Sequence, residues 1–139
     1  MRTINRLIIH CTGGSVNEID SDIEDIRRYH IKYKGWSDVG YHYFIKKDGL
    51  IQKGRADAKI GAHCRGRNST SLGICIAGLY GFTDEQIDSL GVLLLAKMQE
   101  YKLKVENVFC HYSLNAKKTC PNIPQNMLRG WLHSLVRNK

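Results

Sequence analysis

Proline is nearly absent from this chain: two residues in 139, Pro121 and Pro124. No segment repeats, so collagen-like, solenoid and low-complexity architectures are excluded. Long apolar runs are missing too. Val92-Leu93-Leu94-Leu95-Ala96 falls far short of the ~20 residues a membrane span needs. At the start, Leu7-Ile8-Ile9 is followed at once by His10, below the roughly 7–15 residues of a secretory h-region. The expectation is a protein made in the cytoplasm without a signal peptide, and not a membrane protein. Its five cysteines, Cys11, Cys64, Cys75, Cys110 and Cys120, are odd in number, with no pair at knuckle spacing. Reduced thiols are expected rather than a disulfide framework. No HExxH pattern supplies the glutamate of a thermolysin-like site.

Acidic residues are also scarce, thirteen against twenty-one Lys and Arg, for a net charge of +8. The cations are scattered, from Arg27-Arg28 through Lys46-Lys47, Arg65 and Arg67 to Lys117-Lys118. Such a surface attracts anionic partners without selecting among them. No helix-turn-helix, RNA-binding signature or aromatic-basic stripe is visible, so nucleic acid is not expected. What is present is ordinary globular composition, 42% apolar and 24% charged, which argues against disorder. This length fits one domain, residues 1–139, that buries roughly two-thirds of its unfolded surface.

Ile4 to Thr12 reads as a buried strand. A helix should start near Ser21 and end at Gly35, with Ile19, Ile23, Ile26, Tyr29 and Tyr33 as its inner stripe. Tyr41 to Lys47 alternates as a strand, Asp48-Gly49 reads as a two-residue turn, and Leu50 to Gly54 returns. Leu72 to Leu79 is a further strand whose small side, Gly73, Cys75 and Ala77, admits a helix closely. Thr83 and Gln86 form a capping box opening a helix to about Tyr101. Val105 to Tyr112 is a strand. Pro124 opens a last helix with Met127, Leu128, Trp131, Leu132 and Leu135 inward. Strands alternating with helices imply an α/β class: a single domain with a central mixed sheet flanked by about three main helices.

Three residues stand out. His10 sits near the end of the first strand, His111 near the end of a later one, and Cys120 follows nine residues on, in the loop before the last helix. Ligands of open α/β sheets gather beyond strand ends. Two imidazoles and a soft thiolate suit zinc, with a fourth position for water. The competing reading is that scattered His and Cys serve structure alone.

Several segments are similar to type 2 N-acetylmuramoyl-L-alanine amidases, a family that includes amidase-type phage lysozymes and peptidoglycan recognition proteins. Gly35-Trp36-Ser37-Asp38-Val39-Gly40-Tyr41-His42-Tyr43-Phe44-Ile45 resembles its strand motif, and Leu7 to Thr12 its first ligand strand. Gly61 to Ile74 resembles its groove segment. Cys110-His111-Tyr112 and Lys118-Thr119-Cys120-Pro121 resemble the remaining ligand motifs. The resemblance implies one Zn2+ per chain on His10, His111 and Cys120, with Tyr41 and Lys118 as catalytic groups. It implies hydrolysis of the amide between the lactyl group of N-acetylmuramic acid and L-alanine. Peptidoglycan is then the partner, and the chain is expected to be a monomer that reaches the wall at lysis or by a non-Sec route. Relatives lacking the cysteine ligand are binders, so a non-catalytic peptidoglycan- or protein-binding module is the alternative.

Strict alternation sends Tyr41 and His42 to opposite faces, with Tyr41 given the site. His42 then packs on the other face or lines a groove edge. His63, Asn68, Arg65 and His42 are the expected substrate contacts, with polar-turn and solvated-charge readings beside them. Cys11 and Cys110 should face away from the ligands, Cys64 reads as exposed, and His30 and His133 read as surface or boundary residues. Trp36 either leans on the sugar or plugs the end of the first helix.

Overall fold

The computed structural model describes residues 2–13 and 22–138. Strand β1 spans Arg6–Cys11, β2 Tyr43–Ile45, β3 Ile51–Lys53, β4 Ser71–Ile76 and β5 Val108–Cys110. They form one sheet in the order β3-β2-β4-β1-β5. β1 is parallel to β4 and β5, β2 is parallel to β4, and β3 alone is antiparallel. The expected mixed sheet is therefore present, with β1, which is buried on both faces, near its centre.

Among the described residues four α-helices accompany it: α1 Ile23–Lys34, α2 Asp84–Tyr101, the single turn α3 His111–Leu114 and α4 Gln125–Arg137. α2 and α4 cover one face. Leu7 and Ile9 of β1, Leu72, Ile74 and Ile76 of β4, and Leu90, Leu94, Leu128 and Leu132 of the helices make the main core there. Each such side chain, fully buried, contributes ~1.5–3 kcal/mol. On the opposite face α1 supplies Ile23 to a smaller cluster with Val39, Phe44, Cys75 and Ala77. The alternate residues of β1 and β4 point this way, His10 beside Cys75 in register. One sheet thus separates an apolar side from a side that carries chemistry.

A closed polar cluster sits at the β2–α2 boundary. Asp57 accepts from Lys97 Nζ at 2.8 Å, from the Tyr101 hydroxyl at 2.7 Å and, on its other oxygen, from the Tyr43 hydroxyl at 2.7 Å. Burial pushes the Asp57 carboxyl up, but bonds from Lys97, Tyr101 and Tyr43 outweigh it and hold it below the usual range.

Several expectations need correction. Ser21 and Ile19 lie outside the described residues; α1 is capped by Asp22, whose side chain accepts from the Glu24 amide while Asp25 returns the bond. Tyr29 and Tyr33 are exposed, not inward, and His30 is buried in their place. That end of α1 overhangs a groove rather than the sheet. Asp48-Gly49 is not a two-residue turn. Lys46 and Leu50 close the hairpin, Lys46 N–H donating to the Leu50 carbonyl at 3.0 Å. Three residues lie between them, with Gly49 at φ +89°, the left-handed position that this longer loop requires. The strand from Val105 is shorter than its pattern: Val105–Asn107 is a 3-10 turn and His111 opens α3. Met127 is exposed on α4. Gly73 admits no helix; the His63 ring occupies the space above it.

Candidate metal centre

Sheet register brings the first two candidate ligands together. Ile9 pairs with Cys110 across the parallel β1–β5 ladder, so the next residues, His10 still within β1 and His111 just past β5, fall side by side at the same end of the sheet. Their ring centroids are 4.3 Å apart. Cys120 returns through the loop after α3, where its carbonyl accepts from the Tyr112 amide at 3.0 Å. His111 Nδ1 lies 3.3 Å from Cys120 Sγ. One ligand atom from each of His10, His111 and Cys120 lies within 4.8 Å of the others. These residues form the floor of a groove of about 940 Å³.

The protonation states suit a metal, which takes neutral imidazole and thiolate. Burial lowers His10 to about 4. Cys120 is held far below the ordinary thiol range, first by the Cys11 thiol and then by His10 and His111. Cys11 moves the opposite way, raised by its contact with Cys120 and by burial. Cys11 does not face away from the ligands, as alternation along a regular strand predicts; it ends β1, and its thiol meets Cys120.

Tyr41 lies beside the floor, its ring centroid 5.2 Å from that of His10. Burial, with Cys75 and Cys120 nearby, raises its phenol well above the ordinary value. Lys118 is exposed on the groove wall. Arg65, His63 and Asn68 also line the groove. Asn68 Oδ1 accepts from the amides of His63 and Cys64, each at 2.9 Å, so that oxygen holds the groove segment in shape.

His42 is the residue the structure removes from the expected substrate contacts. It is fully enclosed. Its Nδ1 accepts from the Gly73 amide at 3.0 Å and its Nε2 donates to the Lys59 carbonyl at 2.8 Å. The alternation argument fails because β2 begins only at Tyr43: Tyr41 stands next to His10, and His42 stands 5.8 Å from the His63 ring. Cys64 is buried rather than exposed. Trp36 both lines the groove and packs on His30, ring centroids 4.6 Å apart. Sequence reasoning missed His30, which lines the groove while its Nδ1 accepts from the Gly40 amide at 2.9 Å. It also missed Asn115 on the same wall. The only available signal for His30 was its i+4 spacing from the inward Ile26.

Fold and donor set define an α/β domain with a His-His-Cys group at the carboxyl ends of parallel strands. The chain belongs to the N-acetylmuramoyl-L-alanine amidase family, whose profile matches residues 1–123. It is 32% identical over 137 residues to the endolysin of Enterobacteria phage T3, covering 93% of this chain and 86% of that one. Peptidoglycan-recognition protein SC1a of Drosophila melanogaster is 29% identical over 140 residues, covering 91% and 72%. Among solved structures, the N-acetylmuramoyl-L-alanine amidase LysC of Clostridium intestinale superposes with a TM-score of 0.83 at 28% identity, over 95% of this chain and 87% of LysC.

Proposed function

We propose that this chain, as one amidase domain, is a zinc-dependent N-acetylmuramoyl-L-alanine amidase. It hydrolyses the bond between the lactyl group of N-acetylmuramic acid and L-alanine in peptidoglycan. The observation that carries the reading is the convergence of His10, His111 and Cys120 within 4.8 Å at the base of a groove of about 940 Å³. A thiolate with two imidazoles favours zinc over magnesium or calcium. Bound there, zinc supplies a Lewis acid and lowers the pKa of water toward ~7.

The other residues supply placement and proton control. Tyr41 keeps its proton at neutral pH, because burial raises its phenol, and so it orients water at the reacting carbonyl as a donor. The Lys118 ammonium, on the groove wall, stabilises negative charge on the carbonyl oxygen as the carbon becomes tetrahedral. Arg65 offers a cation to stem-peptide carboxylates, and Trp36 offers an aromatic face to sugar.

A binding role without turnover is the second reading, favoured by the likeness to peptidoglycan-recognition protein SC1a. Cys120 weighs against it, because it completes the donor set. The test is mass spectrometry of purified sacculi incubated with the zinc-loaded protein. Free stem peptides from wild type, and none from Cys120→Ala, are expected. Wild-type protein that binds sacculi and releases nothing selects the second reading.

A further inference from the structure

The hydrogen positions around His63 follow from one backbone carbonyl. A carbonyl oxygen only accepts, so the Ser71 hydroxyl, 2.7 Å from the Arg67 oxygen, places its single proton there. Ser71 Oγ is then an acceptor toward its other neighbour, His63 Nε2 at 3.2 Å. A neutral imidazole protonated at Nε2 has its lone pair on Nδ1. That lone pair lies 2.9 Å from His10 Nε2, which must therefore carry a proton. His10 is left with one free lone pair, on Nδ1.

We propose that His63 is a positioning residue of the metal centre: it accepts from His10 Nε2–H and thereby makes Nδ1 the nitrogen with which His10 binds the ion. This rests on the zinc reading above. Ligating histidines are oriented by a partner on the other ring nitrogen, and losing that partner typically weakens metal binding about 10–100-fold. Here the partner is another imidazole, itself oriented by Ser71 and the Arg67 carbonyl.

The packing holds His63 to this task. A Cβ on Gly73 would come within 2.5 Å of His63 Cγ, and one on Gly61 within 2.9 Å of its Cδ2. The ring is thus pressed between two stretches of backbone, and its own amide is tied to Asn68. Turning toward a substrate would break the bonds to both His10 and Ser71. His63 does not join the group of ligand atoms within 4.8 Å of one another, which is His10, His111 and Cys120.

Long-range 1H–15N correlation spectra of the imidazoles in zinc-loaded wild-type protein read this directly. The expected pattern is His10 protonated at Nε2 and bound through Nδ1, with His63 protonated at Nε2. His10 bound through Nε2, or His63 protonated at Nδ1, overturns the proposal. Zinc affinity by chelator competition gives a second readout, with folding checked by circular dichroism. His63→Leu should bind zinc about 10–100-fold more weakly. His63→Asn, which returns an acceptor oxygen near the lost Nδ1, should recover most of that loss. Undiminished affinity in His63→Leu defeats the positioning role and leaves the zinc reading standing. A wild-type chain that takes up no zinc defeats both.

Discussion

Two polar clusters flank the sheet, and they are built on opposite terms. Around Asp57, one carboxylate meets one ammonium and two phenols, and both its oxygens are engaged. Around His10, two imidazoles and a cysteine sulfur bring electron-pair donors toward a common point. The first arrangement is closed by its own members. The second, among the described residues, gathers donors for a cation, with the Lys118 ammonium on the groove wall rather than among them. Buried polar groups satisfied internally stabilise a fold, whereas a convergent set left short of positive charge marks a site for something from outside.

The sharpest break in this contrast is Cys120→Ser. Replacing the soft thiolate should abolish zinc retention through gel filtration, read by elemental analysis, and abolish release of stem peptides with it. Lys118→Gln should lower turnover about 10²–10³-fold, the cost of one oxyanion donor, while zinc content stays equimolar. Loss of metal in that variant would contradict its placement on the wall. On the other side of the sheet, Asp57→Asn removes the more buried of the two carboxylates that Lys97 meets and leaves it Glu100 at 3.0 Å. Urea unfolding should show a loss of about 1–2 kcal/mol, less than the ~3–5 kcal/mol of a wholly unpaired buried charge, with zinc affinity unchanged. Adding Lys97→Met should restore part of it, since the under-compensated charge is then gone.

Acid titration separates the clusters more finely. In the metal-free chain His10 sits at about 4, below the ~6.5 of an unfolded imidazole. As pH falls the unfolded chain binds that proton first. The contribution is therefore full above about 6.5 and is lost as pH drops toward 4. His30, His42 and His63, all lowered first by burial, act in the same direction. Asp57 is lowered in the fold, so its contribution holds above the ordinary carboxylate range and is lost only below it. His10→Ala should flatten the stability slope between pH 6.5 and 4 by about 1.4 kcal/mol per pH unit, leaving the more acidic limb in place. A slope that stays as steep without His10 would assign it to the other histidines.

Elements with local signals were legible. Thr83 and Gln86 announce α2 because a capping box involves only four residues. β1 and β4 are apolar on successive residues because both faces are covered. The three candidate ligands were visible as residue types near strand ends, and the family motifs around them ordered the rest. The contents of the groove were less legible. His30 looked like a surface residue because its burial depends on Trp36 and Gly40, which approach from beyond the helix. His42 looked like a groove residue because its enclosure by the segment around Lys59 has no sequence signature.

Backbone preferences act over a few residues, so this sequence by itself settled its helix caps, its strand periodicity and the kind of donors it offers. Which of those donors meet was settled by the parallel pairing of Ile9 with Cys110, a contact across a hundred residues. The same holds for the thiol of Cys11 against Cys120 and for the ring of His63 against His10. Such juxtapositions depend on strand register and packing summed over the whole sheet, and no short window of residues contains that sum.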